Sequence, residues 1–244
     1  MTSTRQHELP SIPDSETPTG TAIISGASQG LGLALTKALA ARGWQVVVDA
    51  RHADALAEAV APLGARVGAV AGDITDRGHR AALVDAAVRV SGRVDLVVNN
   101  ASTLGPLPMR RLGDLDADAL MNVFATNVSA PLALIQAAQP YLSPGACIIN
   151  ISSDAAVGAY EGWGGYGASK AALDHLSRVL AVEHRGLRVY SVDPGDMRTA
   201  MHQDAFPGED ISDRPLPEAS VPGLLALIDG TLPSGRYSAA EVTS

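Results

Sequence analysis

Tyr166 and Lys170 stand four residues apart, and Ser153 precedes the tyrosine by thirteen positions, in a chain of 244 residues with only two lysines. Residues four apart on a helix share a face, so a phenol and an ammonium at that spacing can meet at one small site. A nearby cation favours the phenolate. Lowering the ordinary tyrosine pKa of about 10 turns an inert side chain into a general acid or base usable near neutrality. A serine hydroxyl beside them would donate to an oxygen on which negative charge develops.

Such a constellation needs a scaffold. From Thr21 onward, short apolar runs alternate with longer Ala/Leu/Val-rich segments, the pattern of repeated β-α units around a parallel sheet. Strands are expected over 21–25, 45–49, 66–71, 94–99, 146–151 and 187–193. Helices are expected over 31–42, 53–63, 76–91, 116–139 and 165–183, with Pro131 kinking or breaking the fourth. Residues 200–217 are polar and read as a mobile substrate loop, followed by a short helix over 221–228 and a weak strand near Arg236. The first 20 residues carry Pro10, Pro13 and Pro18 among polar residues and read as a disordered tail. The fold expected over 21–244 is therefore a single α/β domain built on a doubly wound, Rossmann-type parallel sheet.

Composition narrows the function. At 46% hydrophobic residues the chain can bury a large core, and a net charge of -8 without any basic block argues against nucleic acid. Cys147 is the single cysteine, so no intrachain disulfide is possible. The six histidines show no close pair at ligand spacing, and no metal site is expected. His202, in the late polar stretch, reads more readily as a solvated histidine than as a substrate contact. No apolar stretch reads as both long enough and free enough of polar residues to span a bilayer, and the N-terminus lacks a signal peptide's hydrophobic region; a cytoplasmic protein is expected.

The first strand leads straight into Ser25-Gly26-Ala27-Ser28-Gln29-Gly30-Leu31-Gly32 and then a helical pattern. Glycines there let the backbone turn tightly and approach a pyrophosphate, while the helix N-terminus offers unpaired N–H groups. The segment resembles the TGxxxGxG fingerprint of the short-chain dehydrogenase/reductase family, with Ser25 in place of the threonine. Tyr166-Gly167-Ala168-Ser169-Lys170 resembles the family's YxxxK, and Asn99-Asn100-Ala101-Ser102 its NNAG, with Ser102 departing from glycine. The resemblance covers nearly the whole chain from Thr21.

That resemblance implies site residues one by one. Ser153, rather than Ser152, matches the active-site serine by its distance from the tyrosine, and Asn127 matches the asparagine of the catalytic tetrad, holding a water in a proton relay. Lys170 is implied to lower the Tyr166 pKa and to bind the nicotinamide ribose. Gly26, Ser28, Gln29, Gly30, Leu31 and Gly32 would form the phosphate turn, Asp73 and Ile74 the adenine contact, and Asn100 and Ala101 the neighbouring wall. Pro194, Gly195 and Thr199 match PGxxxT, which would hold the carboxamide. Trp163, Tyr160, Met197, Met201 and Phe206 fall near the substrate cleft.

The end of the second strand, Val48-Asp49-Ala50-Arg51, bears on which cofactor is used. A ribose hydroxyl suits a carboxylate, whereas a 2′-phosphate suits a guanidinium. Family members that prefer NAD carry aspartate where Ala50 stands, and arginine at the place of Arg51 goes with NADP. NADP(H) is therefore favoured, while Asp49, one position away, keeps NAD(H) open.

The activity implied is the interconversion of a small-molecule carbonyl and a secondary alcohol, with Tyr166 as proton donor or acceptor, in a homodimer or homotetramer. Two rival readings stand beside it. One is a non-catalytic dinucleotide-binding sensor, motivated by Ser102 and by the closing stretch Gly235–Ala240, where relatives carry a glycine pair. The other is a same-fold dehydratase or epimerase acting through transient oxidation.

Overall fold

The computed structural model describes residues 19–242. Its Val/Ile-rich runs form β1 (Thr21–Ile24), β2 (Gln45–Ala50), β3 (Val67–Ala71), β4 (Val94–Asn99), β5 (Leu142–Ile151), β6 (Arg188–Asp193) and β7 (Gly235–Ser238). They pair in parallel as one sheet, in the order β3-β2-β1-β4-β5-β6-β7. Strand order reverses between β1 and β4, which opens a crevice at the carboxyl ends of those strands. The helices are α1 (Gly30–Ala41), α2 (Ala53–Val60), α3 (Arg77–Ser91), α4 (Ala117–Phe124), α5 (Ala130–Ala138), α6 (Gly164–Glu183), α7 (Ala200–Ala205) and α8 (Val221–Asp229).

Both sheet faces are covered, and the two-residue period of the strands assigns side chains to each. Ala22 and Ile24 join Val46, Val48, Leu96 and Val98 in a core completed by Leu35 and Leu39 of α1 and Leu224 and Leu227 of α8. Ile23 faces the opposite way, with Val47 and Val97, against Leu83 of α3 and Leu134 of α5. Full burial of each of these large aliphatic chains contributes roughly 1.5–3 kcal/mol, so the packed sheet centre fixes where the strand ends lie. Side chains cap α3 and α4 at their start: Asp76 accepts from His79 N on α3, and Asp116 from Asp118 N and Ala119 N on α4.

Several boundaries differ from the expected ones for local reasons. The second helix stops at Val60, because Pro62 and Gly64, the latter at φ 69°, turn the chain into a 3₁₀ run to Arg66. The helix expected over 116–139 is two helices joined by a π-turn at Ala125–Ser129, where Ala130 N donates to Ala125 O. Pro131 lies in the first turn of α5, so the break precedes it. Residues 200–217 are less irregular than expected: Thr199 accepts from His202 N to start α7, and Arg198 N donates to Pro215 O, folding the segment back on itself. Of the expected tail, residues 1–18 lie outside the described residues. Thr19 donates through its N–H to Gly43 O and through its hydroxyl to Arg42 O.

The helical run Ala117–Tyr141 does have the length and mean hydropathy, 1.3, of a membrane span by composition alone. Asn122, Thr126, Asn127 and Ser129 masked that in the sequence, but its Leu, Ile and Ala outweigh them. Leu134, Ile135 and Ala138 of this run are buried in the core.

Candidate active site

The turn after β1 is held by polar contacts to β4. Ser25 Oγ accepts the N–H groups of Asn100 and Ala101, both at 3.1 Å, and Asn100 Nδ2 donates to the carbonyls of Ser25 (3.0 Å) and Gly26 (2.9 Å). A serine at the family's threonine position thus ties the glycine turn to the neighbouring strand. Gly26 has φ +71°, and a Cβ there would lie 2.8 Å from Ala101 Cα. A turn stripped of side chains at the N-terminus of α1 fits the diphosphate of a dinucleotide.

Asp49 is the residue whose purpose was least visible in the sequence. Its side chain is 2% exposed; Oδ1 accepts Gly26 N at 2.7 Å and Oδ2 lies 2.9 Å from His79 Nε2. Burial pushes its carboxyl pKa up, against the lowering from Gly26 and His79. Both of its oxygens are engaged beneath the glycine turn, and Asp49, Ala50 and the exposed Arg51 line the cleft at the end of β2. Thirty residues separate Asp49 from His79. The one local signal was Gly72, because any Cβ there would overlap the His79 ring.

A cleft of about 1090 Å³ runs along the carboxyl ends of the strands. Gly26, Ser28, Gln29, Gly30 and Leu31 form its floor, with Arg51, Asp73 and Ile74 at one end and Asn100 and Ala101 in the middle. Ser153, Tyr166, Lys170, Pro194, Gly195 and Thr199 line the other end. Two expected residues stand back from the wall. Gly32 is buried behind the turn, where its lack of a side chain admits Gly26 O and Asn100 Nδ2. Asn127 is buried at 1% exposure: its Oδ1 accepts from Ser102 Oγ (3.1 Å) and Thr103 N (2.9 Å), and its Nδ2 donates to Thr103 O (2.9 Å) and Ser169 Oγ (3.0 Å). Those four bonds fill the side chain, so it has no position left for the water expected of it.

Tyr166 and Lys170 share one face of α6 and both line the cleft, but the electrostatics differ from the expectation. Lys170 Nζ is 5.5 Å from the tyrosine ring centre and donates to Ile151 O at 2.7 Å. Burial pushes the Tyr166 phenol up to about 12; what lowering there is comes from the hydroxyls of Ser153 and Ser102, not from the amine. Burial also pushes Lys170 down to about 8, with Asp174 opposing. Both groups are desolvated, and that outweighs their mutual influence. The phenol is accordingly a proton donor across the neutral range.

Ser153 sits at the end of β5, where its Oγ accepts Ala155 N at 3.1 Å and donates to Asp154 Oδ1 at 2.9 Å. Ser152 is more deeply buried, and its Oγ has no partner. Arg236 of β7, unremarked as a site residue in the sequence, fixes the Ser153 backbone: one guanidinium nitrogen donates to Ser153 O at 2.9 Å while Nε donates to Asp174 Oδ2 at 3.0 Å. The atypical closing stretch therefore braces the site.

Leu104, Trp163, Met197 and Met201 also line the cleft, together with the polar Thr103, Asp196 and His202. Tyr160 and Phe206 do not line it; each packs on Trp163, at ring-centre distances of 6.3 and 5.6 Å. His202 is not solvated. Its side chain is 11% exposed, and its ring stacks on Phe206 at 4.8 Å.

A family model described as short chain dehydrogenase matches residues 20–210. The short-chain dehydrogenase/reductase FrzI of Cladobotryum sp is 38% identical over 185 residues, covering 73% of this chain and 70% of that protein. Sepiapterin reductase of Mus musculus is 35% identical over 199 residues, covering 74% and 76%. Among solved structures, a short chain dehydrogenase from Shigella flexneri matches with a TM-score of 0.84 at 27% identity, over 91% of each chain. A chain from Escherichia coli CFT073, described as a short chain dehydrogenase complexed with NADPH, matches equally at 0.84 and 27%, over 91% of this chain and 97% of that one.

Proposed function

The chain belongs to the short-chain dehydrogenase/reductase family of NAD(P)-dependent oxidoreductases, and from that premise we propose that it interconverts a carbonyl and a secondary alcohol, with NADP(H) as preferred cofactor and Tyr166 as the proton-transfer group. The observation that carries this reading is that one cleft is lined both by a side-chain-free glycine turn and by the Tyr166–Lys170 face of α6. Two-electron exchange with the substrate carbon is the chemistry that a bound nicotinamide supplies. In reduction, Tyr166 gives its proton to the developing alkoxide. Ser153 turns its hydroxyl from Asp154 to the same oxygen, donating where negative charge accumulates. Pro131 has no N–H for the carbonyl four residues back, that of Asn127, so a relay water would rest on that main-chain oxygen rather than on the side chain. A screen of NADPH consumption against ketones, aldehydes and quinones tests the reading; cofactor binding with no turnover on any of them would favour the sensor instead.

NADP preference rests on Arg51 at the cleft rim and on an Asp49 already engaged elsewhere. Arg51→Ala is expected to raise the KM for NADPH about 10–100-fold, the value of a charge-assisted hydrogen bond. The KM for NADH should stay nearly constant. Equal losses for both cofactors would remove Arg51 from the phosphate.

Lys170 sets a pH dependence with two signs. As pH rises through about 8 its charge is lost, so kcat/KM for the cofactor should fall on the alkaline side. Stability moves oppositely. Because the folded pKa lies below the ordinary 10.5, the unfolded chain holds more protons between about 8 and 10.5, and the contribution of Lys170 improves with pH across that window. Kinetic and urea-unfolding profiles check the pair.

A homo-oligomer is proposed on family grounds, with exposed Met121 on α4 and exposed Val179 and Val182 on α6 as the apolar surface available for contact. Light scattering tests it.

A further inference from the structure

We propose that Arg236 of β7 is a positioning residue for the reaction: its guanidinium fork ties the ends of β5 and β6 to α6 and so holds Ser153 where its hydroxyl can reach the developing alkoxide. The inference rests on the reading of Ser153 as a donor to the substrate oxygen, and it adds a residue that does not line the cleft.

Ser153 needs a hold from outside its own strand. β5 ends at Ile151, and the last bond from this segment to the sheet is one residue later, where Ser152 N donates to Val192 O at 2.7 Å. Ser153 then opens the short 3₁₀ turn Asp154–Ala156, and its carbonyl accepts Ala156 N at 3.1 Å. That bond is local and moves with the turn. A carbonyl has a second lone pair, and Arg236 Nη2 fills it at 2.9 Å from 83 residues away. This bond fixes the Ser153 peptide relative to the sheet, and the place of the hydroxyl follows.

The fork is itself anchored. β7 pairs with β6, placing Arg236 opposite Ser191; Nε donates to Asp174 Oδ2 at 3.0 Å, and Nη2 also lies 3.4 Å from Asp193 Oδ2. Asp174 stands one turn beyond Lys170 on α6, with its side chain 9% exposed. Arg236 is the one hydrogen-bond partner of that carboxylate among the described residues, since Oδ1 has none. Asp193 Oδ1 meanwhile accepts Gly195 N at 3.0 Å, shaping the turn that leads to Thr199. One planar group thus reaches the serine-bearing loop, the helix of Tyr166 and Lys170, and the turn after β6. The rigid spacing of its nitrogens sets these three segments relative to one another, which the point charge of a lysine would not do. A hydroxyl that must donate to charge growing on the substrate oxygen depends on that relative placement.

Arg236→Ala should lower kcat for carbonyl reduction about 10–100-fold, the effect of moving a reacting group by up to about 1 Å. The KM for NADPH should stay within about threefold, because none of the three partners of Arg236 belongs to the glycine turn. Removing the arginine also leaves the Asp174 carboxylate buried and unpaired. The double variant Asp174→Asn/Arg236→Ala carries no such charge, and it should show the same loss of kcat. Millimolar guanidinium chloride, entering the space left by a side chain 30% exposed, should restore kcat severalfold in Arg236→Ala and leave the wild-type chain unchanged. Sodium chloride at the same concentration should restore nothing. In cofactor-free protein, hydrogen exchange on peptides covering 152–158 should quicken in both variants and slow again in Arg236→Ala with guanidinium. Wild-type kcat in either variant, or a loss that guanidinium does not relieve, would overturn the proposal. If the wild-type chain reduces no carbonyl, the function fails on its own, and the exchange still decides about Arg236: rates unchanged in both variants would show that it does not hold Ser153.

Discussion

Tyr166→Phe should lower turnover about 10³–10⁴-fold, the upper part of the range for removing a positioned general acid. The ring is 8% exposed and packs edge-on against Trp163, with ring centres 5.8 Å apart, so phenylalanine keeps the packing. The hydroxyls of Ser153 and Ser102 only partly offset the burial of the phenol, so its loss should change stability by no more than about 1 kcal/mol. Cofactor affinity should hold within about twofold, because the phenol acts at the reacting oxygen rather than on the dinucleotide. An unchanged melting temperature and Kd with collapsed kcat is the expected pattern. Retained kcat would take the proton-transfer role away from Tyr166, whatever the cofactor. The alternative explanation, a distorted α6, is excluded by the same experiment if cofactor affinity survives, since Lys170 sits one turn further along.

The fold was legible because both sheet faces are buried: continuous Val/Ile runs leave little room for another architecture, and six strands fall within a few residues of their expected places. Boundaries failed where a single residue intervened, as Pro62 and Gly64 did in ending α2 early. The catalytic residues were legible as types and spacings, but their electrostatics were not. Four residues on a helix bring Lys170 near Tyr166; burial, which no spacing records, then decides that the phenol goes up rather than down. Contacts between distant elements were the least visible. Asp49 with His79, Arg236 with Ser153 and Ser102 with Asn127 each join residues from separate strands, loops or helices, and only Gly72 and the serine in the NNAG place left a mark in the sequence. Asn127 shows the same limit, since its identity was readable and its four partners were not.

Gly32→Ala sets two known effects against each other, and their sizes choose the winner. Gly32 is within α1, where helix propensity alone favours alanine by about 1 kcal/mol. Its φ is not in the left-handed region, so no conformational strain enters. A Cβ at Gly32, however, would lie 2.5 Å from Gly26 O and 2.6 Å from Asn100 Nδ2. Neither atom can yield cheaply: the first is backbone, and the second donates to the carbonyls of Ser25 and Gly26, joining the turn to β4. Overpacking costs typically 1–3 kcal/mol and a lost buried hydrogen bond about 1 kcal/mol more. The net expectation is a destabilisation of about 1–3 kcal/mol, opposite in sign to the propensity argument. Cofactor affinity should drop about 100-fold, because the N–H groups at the start of α1 are displaced from the position the diphosphate requires. Gly30→Ala is the control. Its Cβ would meet only Thr199 Cγ2, at 3.6 Å, so its stability cost should be the left-handed φ of +58° alone, about 1–2 kcal/mol. A Gly32→Ala protein more stable than wild type, with full cofactor affinity, would show that α1 and the turn are looser than their contacts imply.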